Sequence, residues 1–295
     1  MEKYYKDPVR PVIGQGTYGV VYRVRDVRNG QEYALKCHKQ ADVIEDATVR
    51  ELSCLTALKG HPNIIQLLDC FMDEDRVAML MPHVPFELTK AIHRQPPAPL
   101  SFVASFSLQT ANALEYMHGL NILHRDLVPS NVLLEEDLTV KVGDMGLARQ
   151  YSRRMSLCVV TEPYRAPELF VRGNAAEYTC AVDMWSLGAM ILDAKEGAVV
   201  FAATRGSSTL SKVMALAASD PDGGAEESTP ARQELIPNTM KCEHTKRIAF
   251  RLIALRHDKR LTARQLLDDE EWKRLSHMTD GEKAEVLQQC VTGVM

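Results

Sequence analysis

The sequence predicts an α+β protein of two unequal lobes, a small β-rich one over about residues 10–82 and a larger, mainly helical one over about residues 88–275. Three observations carry this expectation. Short runs rich in Val, Tyr and Leu, separated by turn residues, fill the first part of the chain. Apolar stripes of helical period dominate the rest. Between them Pro82 to Glu87 reads as a short linker, a hinge over about residues 82–87. A cleft between two such lobes is where a small ligand sits.

Taken in order, Val20 to Arg25 and Gln31 to Cys37 flank Arg28-Asn29-Gly30, a turn signal for a strand pair. Val43 to Lys59 is helical by pattern, with Leu52, Leu55 and Leu58 on one face, and Gly60-His61-Pro62 ends it. Ile64 to Phe71 and Arg76 to Met81 read as two more strands. Beyond the linker, Ser101 is placed to cap a helix whose apolar face is Phe102, Phe106, Ala113 and Met117, closed by Gly119. A second strong helix starts near Asp183 and runs through Trp185, Leu187, Gly188 and Ile191. Ser219 to Glu234 is polar and turn-rich, an expected exposed loop. Residues 1–9 read as an N-terminal extension and residues 276–295 as a C-terminal tail. The tail can form an amphipathic helix with Val286, Leu287 and Val291 on one side, packed on the larger lobe.

Composition narrows the class without naming a function. A chain of 295 residues can bury a core large enough to stand without crosslinks. A net charge of −4 implies no general affinity for nucleic acid or for an anionic membrane. The seven cysteines are odd in number and scattered, with no Cys-x-x-Cys pair, which argues against a disulfide framework or a metal site and for a reducing compartment. The first residues lack the apolar core of a signal peptide, and no run of about 18 apolar residues occurs. An intracellular protein, cytoplasmic or nuclear, is the expectation.

The fragments that carry chemistry are individually weak. They are Gly14-x-Gly16-x-x-Gly19-x-Val21, Lys36 in Tyr-Ala-Leu-Lys, Glu51, His124-Arg125-Asp126 with Asn131, Asp144-Met145-Gly146 and Ala166-Pro167-Glu168. A lone glycine-rich loop is mostly a turn, a strand lysine is ordinarily solvated, and isolated Asp and Asn residues mostly cap or face water. Here apolar Ala34 and Leu35 precede Lys36, and apolar runs flank Asp126, Asn131 and Asp144, as in strand-end loops that face a site. In this order and at these separations the set resembles a eukaryotic protein kinase over roughly residues 10–275, nearest to the cyclin-dependent branch of the CMGC group.

The resemblance implies the bilobal protein kinase fold, ATP and Mg2+ as cofactors, and transfer of the γ-phosphate to Ser or Thr of protein substrates. Gly14, Gly16 and Gly19 would let the backbone approach the phosphates. Val21 would lie on the adenine and Ile13, Ala34 and Leu133 would also bind the cofactor, with Met81 at the back of the pocket and the Val84 amide bonding the adenine edge. Lys36 would hold the α- and β-phosphates and be oriented by a helical carboxylate. Glu45 and Asp46 compete for that role by position, and the family pattern Arg-Glu-Leu selects Glu51. Asp126 is the implied base, and Asn131 and Asp144 the implied Mg2+ ligands. Asp183 is implied to brace the loop of Asp126, and Arg260 to pair with Glu168.

The segment from Asp144 to Glu168 carries the implied regulation. Ser156 stands where cyclin-dependent kinases have an activating phosphothreonine, upstream of Thr161, and Arg50, Arg125 and Arg149 are placed to receive its phosphate. The Arg153-Arg154 pair before it suggests an upstream kinase that prefers basic residues. Arg165 beside Val159 and Val160 implies a pocket for proline after the phosphoacceptor, and the stretch Glu45 to Glu51 implies room for a cyclin-like activator. Two departures stand out. Val128 occupies the place of a lysine that reaches the transferring phosphate, a loss on the order of 10²–10³ in rate. That change keeps open the alternative of a pseudokinase, a weakly active nucleotide-binding scaffold. Met145 in place of phenylalanine is a mild change, being apolar and adaptable.

Overall fold

The computed structural model describes residues 3–9, 11–16, 19–39, 45–151, 161–170, 179–217 and 229–292. The first lobe is an antiparallel sheet of β1 (Tyr4–Lys6), β2 (Val12–Gln15), β3 (Gly19–Asp26), β4 (Glu32–His38), β5 (Asp69–Asp73) and β6 (Arg76–Pro82), in the order β1-β3-β4-β6-β5 with β2 also on β3. The β3–β4 turn closes where the sequence places it. Gly30 takes φ +70° and donates its amide to Asp26 O at 2.8 Å, a conformation that a side chain disfavours. Tyr4–Lys6, inside the stretch read as an extension, is a strand on β3. Tyr4 stacks on Phe71 and meets Tyr33 edge-on, over a small core with Val24, Leu35 and Leu80.

Strand period two gives β4 two different faces. Leu35 and Cys37 join the aromatic side, while Ala34, Lys36 and His38 point the other way. In β6, Ala78 and Leu80 follow the first set, and Met79 and Met81 join the main core on the second. Helix α1 (Asp46–Ala57) covers that second face with Leu55 and, at its end, Leu58 buried and Leu52 partly so, as the pattern requires. The strand expected over Ile64 to Phe71 forms only from Asp69. Upstream of it, Ile64 bridges Val142 in parallel, and the Ile65 amide donates to Val142 O at 2.9 Å. The apolar pair therefore docks on the second lobe instead of extending the sheet.

The second lobe opens with β7 (Phe86–Glu87), α2 (Leu88–Ile92) and α3 (Leu100–Gly119), followed by the short strands β8 (Ile122–Leu123), β9 (Val132–Leu134), β10 (Val140–Val142) and β11 (Arg149–Gln150). β10, β9 and β7 make one small sheet and β11 with β8 another. Ser101 does not cap α3. Pro99 holds the cap position, and Ser101 Oγ donates to Glu282 Oε1 at 2.7 Å. Helix α4 (Ala181–Glu196) is buried almost all round, with Trp185 at the centre of the main core. It meets α8 (Glu243–Leu252), which follows α5 (Thr209–Leu216), α6 (Pro230–Leu235) and α7 (Pro237–Met240). At that crossing a Cβ on Gly188 would lie 2.8 Å from Leu252 Cβ, so only glycine lets the helices come this close.

Helix α6 forms at the end of the segment read as a loop, capped by Thr229, whose Oγ1 accepts from the Arg232 amide; residues 218–228 lie outside the described residues. Two helices, α9 (Ala263–Leu267) and α10 (Glu270–Leu275), lead to α11 (Asp280–Thr292). α11 packs on α2 and α3 as anticipated but with a rotated face. Val286 and Cys290, one turn apart, are buried, whereas Val291 is 57% exposed. No helix among the described residues is long and apolar enough to cross a membrane, and the described cysteines are free thiols.

Candidate active site

The candidate site is built on a lysine that the sheet delivers and two carboxylates that other elements bring to it. Lys36 Nζ lies 2.6 Å from Glu51 Oε1 and 3.0 Å from Asp144 Oδ1. Glu51 comes from the buried face of α1, whereas Asp46 is exposed in its first turn and Glu45 stands at the helix cap. Asp144 takes the left-handed φ of +53° and accepts the Gly146 amide at 3.3 Å, a turn that aims its carboxylate back at the sheet. Burial opposes the charge on Lys36, but Glu51 and Asp144 outweigh it and hold the amine above its ordinary pKa. Burial likewise opposes ionisation of Asp144, and Lys36 with the Gly146 amide outweighs it, leaving the carboxyl below the usual range.

A second cluster adjoins the first. Asn131 Nδ2 donates to Asp126 O at 2.8 Å and to Asp126 Oδ2 at 3.3 Å. Asp126 Oδ1 accepts from both the amide and the hydroxyl of Thr161, each at 3.3 Å. The Gly143 amide donates to Asn131 O at 2.8 Å, and His124 Nε2 lies 2.9 Å from Gly143 O, so the loops bearing Asp126 and Asp144 are tied together. Beneath them buried Asp183 accepts the His124 amide at 3.0 Å, the Arg125 amide at 2.9 Å and His118 Nε2 at 2.9 Å. His118 escaped the sequence reading; its place one residue before the helix-ending Gly119 was the available signal. Val128 is buried in the main core, and Met145 packs in that same core, against α1.

The three glycines do not share one task. A Cβ on Gly19 would lie 2.7 Å from the Cys37 carbonyl oxygen of β4, so this glycine is required by strand contact. A Cβ on Gly14 would make ordinary contact with Val21, and one on Gly16 would meet nothing within 4 Å among the described residues. Ile13, Val21 and Ala34 stand on β2, β3 and β4, Met81 near the end of β6, and Leu133 on β9. Val84 follows β6 and packs, partly buried, on the main core.

Of the residues expected to receive a phosphate, Arg50 is exposed on α1, Arg149 is exposed on β11, and Arg125 is buried with φ +68°. Ser156, Val159, Val160 and the Arg153-Arg154 pair lie outside the described residues. Downstream, Arg260 forms a two-pronged bond to Glu168, both at 2.7 Å, beneath the segment's end. Tyr164 donates to Asp193 Oδ2 at 2.8 Å, and its hydroxyl is held well above its usual pKa by burial and by that carboxylate.

The donor chemistry fits a nucleotide-bound Mg2+. One carboxylate, Asp144, and one amide oxygen, on Asn131, stand on loops joined by the Gly143–Asn131 bond. Among the described residues no cluster of three or more His, Cys, Asp or Glu is gathered into a metal cage. Two hard oxygen donors suit an ion whose other ligands are phosphates and water. The open backbone at Gly16 likewise fits a phosphate brought close to the loop.

A family model described as a protein kinase domain matches residues 9–272. Among curated proteins the chain is similar to a cell division control protein 2 homolog from Trypanosoma brucei brucei, 36% identical over 68% of this chain and 65% of that protein. It is also similar to cyclin-dependent kinase 4 of Xenopus laevis, 36% identical over 65% of each chain, and to a cyclin-dependent kinase 4 homolog of Caenorhabditis elegans, 35% identical over 61% of this chain and 47% of that one. The chain thus spans about two thirds or less of the length of these relatives.

Proposed function

The chain belongs to the protein kinase family, and from that premise we propose that it is a serine/threonine protein kinase that takes ATP and Mg2+. The observation that carries this reading is the placement of Lys36 Nζ between Glu51 and Asp144, beside a loop in which Asp126 and Asn131 share hydrogen bonds. Bound ATP and Mg2+ supply the phosphoryl group and much of the charge that stabilises its transfer. Lys36, oriented by Glu51, binds the α- and β-phosphate oxygens. Asp144 and Asn131 would hold the cation. Asp126 aligns the acceptor hydroxyl and takes its proton as the oxygen bonds the γ-phosphorus and the bond to ADP breaks. The backbone about Gly16 would cover the phosphates, Val21 would lie on the adenine, Ile13, Ala34 and Leu133 would line the nucleotide site, and the Val84 amide would bond the adenine edge.

Arg165 supports a preference for proline after the acceptor, Ser156 is the switch written by an upstream kinase, and α1 offers a face to a cyclin-like activator. Arg50, Arg125 and Arg149 are the receivers of the Ser156 phosphate, and Thr161 holds Asp126 in register. The free, scattered thiols suit a reducing cytoplasmic or nuclear setting.

The second reading, a weakly active nucleotide-binding scaffold, is favoured by one observation. Val128 is 6% exposed and apolar, so the place of the phosphate-reaching lysine is filled by packing. Transfer of radiolabel from ATP to a peptide library, with Asp126→Asn as control, decides between them. Incorporation by the wild type well above that control supports the kinase; equal incorporation leaves the scaffold.

A further inference from the structure

The face of β4 that carries Ala34 and Lys36 presents a third side chain toward α1. His38 is 5% exposed, and its Nδ1 lies 2.9 Å from Thr48 Oγ1. Its Nε2 lies 3.8 Å from Glu51 Oε2, on the side of the carboxylate away from Lys36. Both of these atoms are buried, and among the described residues neither has a hydrogen-bond partner. They stand about 0.8 Å beyond an ordinary N–H···O bond, and a buried polar atom left alone is costly.

The ring's tautomer follows from its neighbours. If Thr48 accepted from Nδ1, the bare lone pair of Nε2 would face the lone pairs of Glu51. If Thr48 donates, the neutral ring carries its proton on Nε2 and offers it to the carboxylate. Burial, reinforced by Lys36, holds His38 below its ordinary pKa and so favours the neutral ring.

We propose that His38, oriented by Thr48, is a positioning residue that binds the second oxygen of Glu51, so that Lys36 and His38 grip the carboxylate from its two sides. The grip ties α1 to the strand that bears Lys36 and fixes the amine for the phosphates. This rests on the reading of the Lys36 site as an ATP site.

The test compares wild type with His38→Leu, His38→Gln and Thr48→Val in the full chain, measuring steady-state constants for Mg·ATP and for the peptide that the wild type phosphorylates best. Glutamine can return an N–H to Glu51; leucine cannot. The expected result is an Mg·ATP KM raised about tenfold in His38→Leu and about threefold in Thr48→Val. The peptide KM stays unchanged, and His38→Gln recovers most of the loss. A role in packing alone would lower thermal stability without splitting the two constants or answering to glutamine. A wild-type Mg·ATP KM in Thr48→Val, or a His38→Gln as impaired as His38→Leu, overturns the proposal. If His38→Leu does not fold, Thr48→Val decides by the same criterion, and a His38→Gln with an Mg·ATP KM raised about tenfold overturns the proposal as well. If wild type transfers no more than Asp126→Asn, the kinase reading fails by itself, and Mg·ATP dissociation constants from calorimetry judge His38 by the same ordering. A wild type that binds no Mg·ATP overturns both.

Discussion

Replacing Asp183 by asparagine tests how the loop carrying Asp126 is held. The Asp183 carboxylate is 1% exposed and accepts from two successive backbone amides, His124 and Arg125, and from His118 Nε2. Arg125 has φ +68°, a conformation costing a residue with a side chain about 1–2 kcal/mol. Hydrogen bonds to a buried carboxylate contribute about 1.5–3 kcal/mol each and, sharing one acceptor group, do not add. Asparagine keeps one oxygen and turns an NH2 toward donors, which orphans at least one buried N–H. We expect a loss of about 3–5 kcal/mol, which at about 2–4 °C per kcal/mol lowers Tm by about 6–20 °C. Phosphoryl transfer should fall with it, because Asp126 follows directly on the released amides. Burial opposes ionisation of Asp183, but His118 and the Arg125 amide outweigh it and hold the carboxyl below its ordinary pKa of 3.8. Its contribution is therefore complete above that value and lost as pH falls through the lowered one, and the variant should lack this acid limb. Scanning calorimetry across pH with a transfer assay is the measurement. A Tm within about 2 °C of wild type, with transfer intact, would refute the account of the brace.

Two further outcomes follow from the same geometry. Gly19→Ala should cost about 1–3 kcal/mol in urea unfolding, because its Cβ would meet the Cys37 carbonyl at 2.7 Å. Gly16→Ala should leave stability within about 0.5 kcal/mol and raise the Mg·ATP KM, and the reverse pattern would contradict the division of labour in the loop. His38, His61 and His83 are each held below the ordinary 6.5, first by burial. The unfolded chain then binds more protons below 6.5, so stability should be full above that pH and decline as pH falls beneath it. His61→Gln, away from the cleft, should flatten that decline in pH-dependent melts; an unchanged slope would count against the shift.

Local patterning made much of this legible. Period two in β4 announces that Lys36 and Leu35 face opposite ways, and the leucine spacing of α1 marks the side that carries Glu51. The Asp126 and Asp144 fragments sit between apolar runs that become β8, β9 and β10, so their loops were recognisable as strand ends. Where expectation and structure part, a long-range contact outweighs a local preference. Ser101 has the chemistry of a cap, but Glu282 of α11 takes its hydroxyl. Ile64 and Ile65 have the look of a strand, but Val142 of the other lobe takes their bonds. Val291 fits one helical stripe, and the surface of α2 and α3 selects another through Val286 and Cys290.

The sequence by itself determined which residue types stand at which intervals: a lysine on a strand, a glutamate on a helix, an aspartate and asparagine on one loop, an aspartate on the next. Spacing along a chain encodes periodicity and turns, and these are local. Only the tertiary structure decided that Gly19 serves the strand beside it while Gly16 stays open among the described residues, and that His38 looks at the far oxygen of Glu51. The first depends on how β3 pairs with β4 and the second on how α1 lies across β4, arrangements set by the packing of many side chains at once and written in no single stretch of the chain.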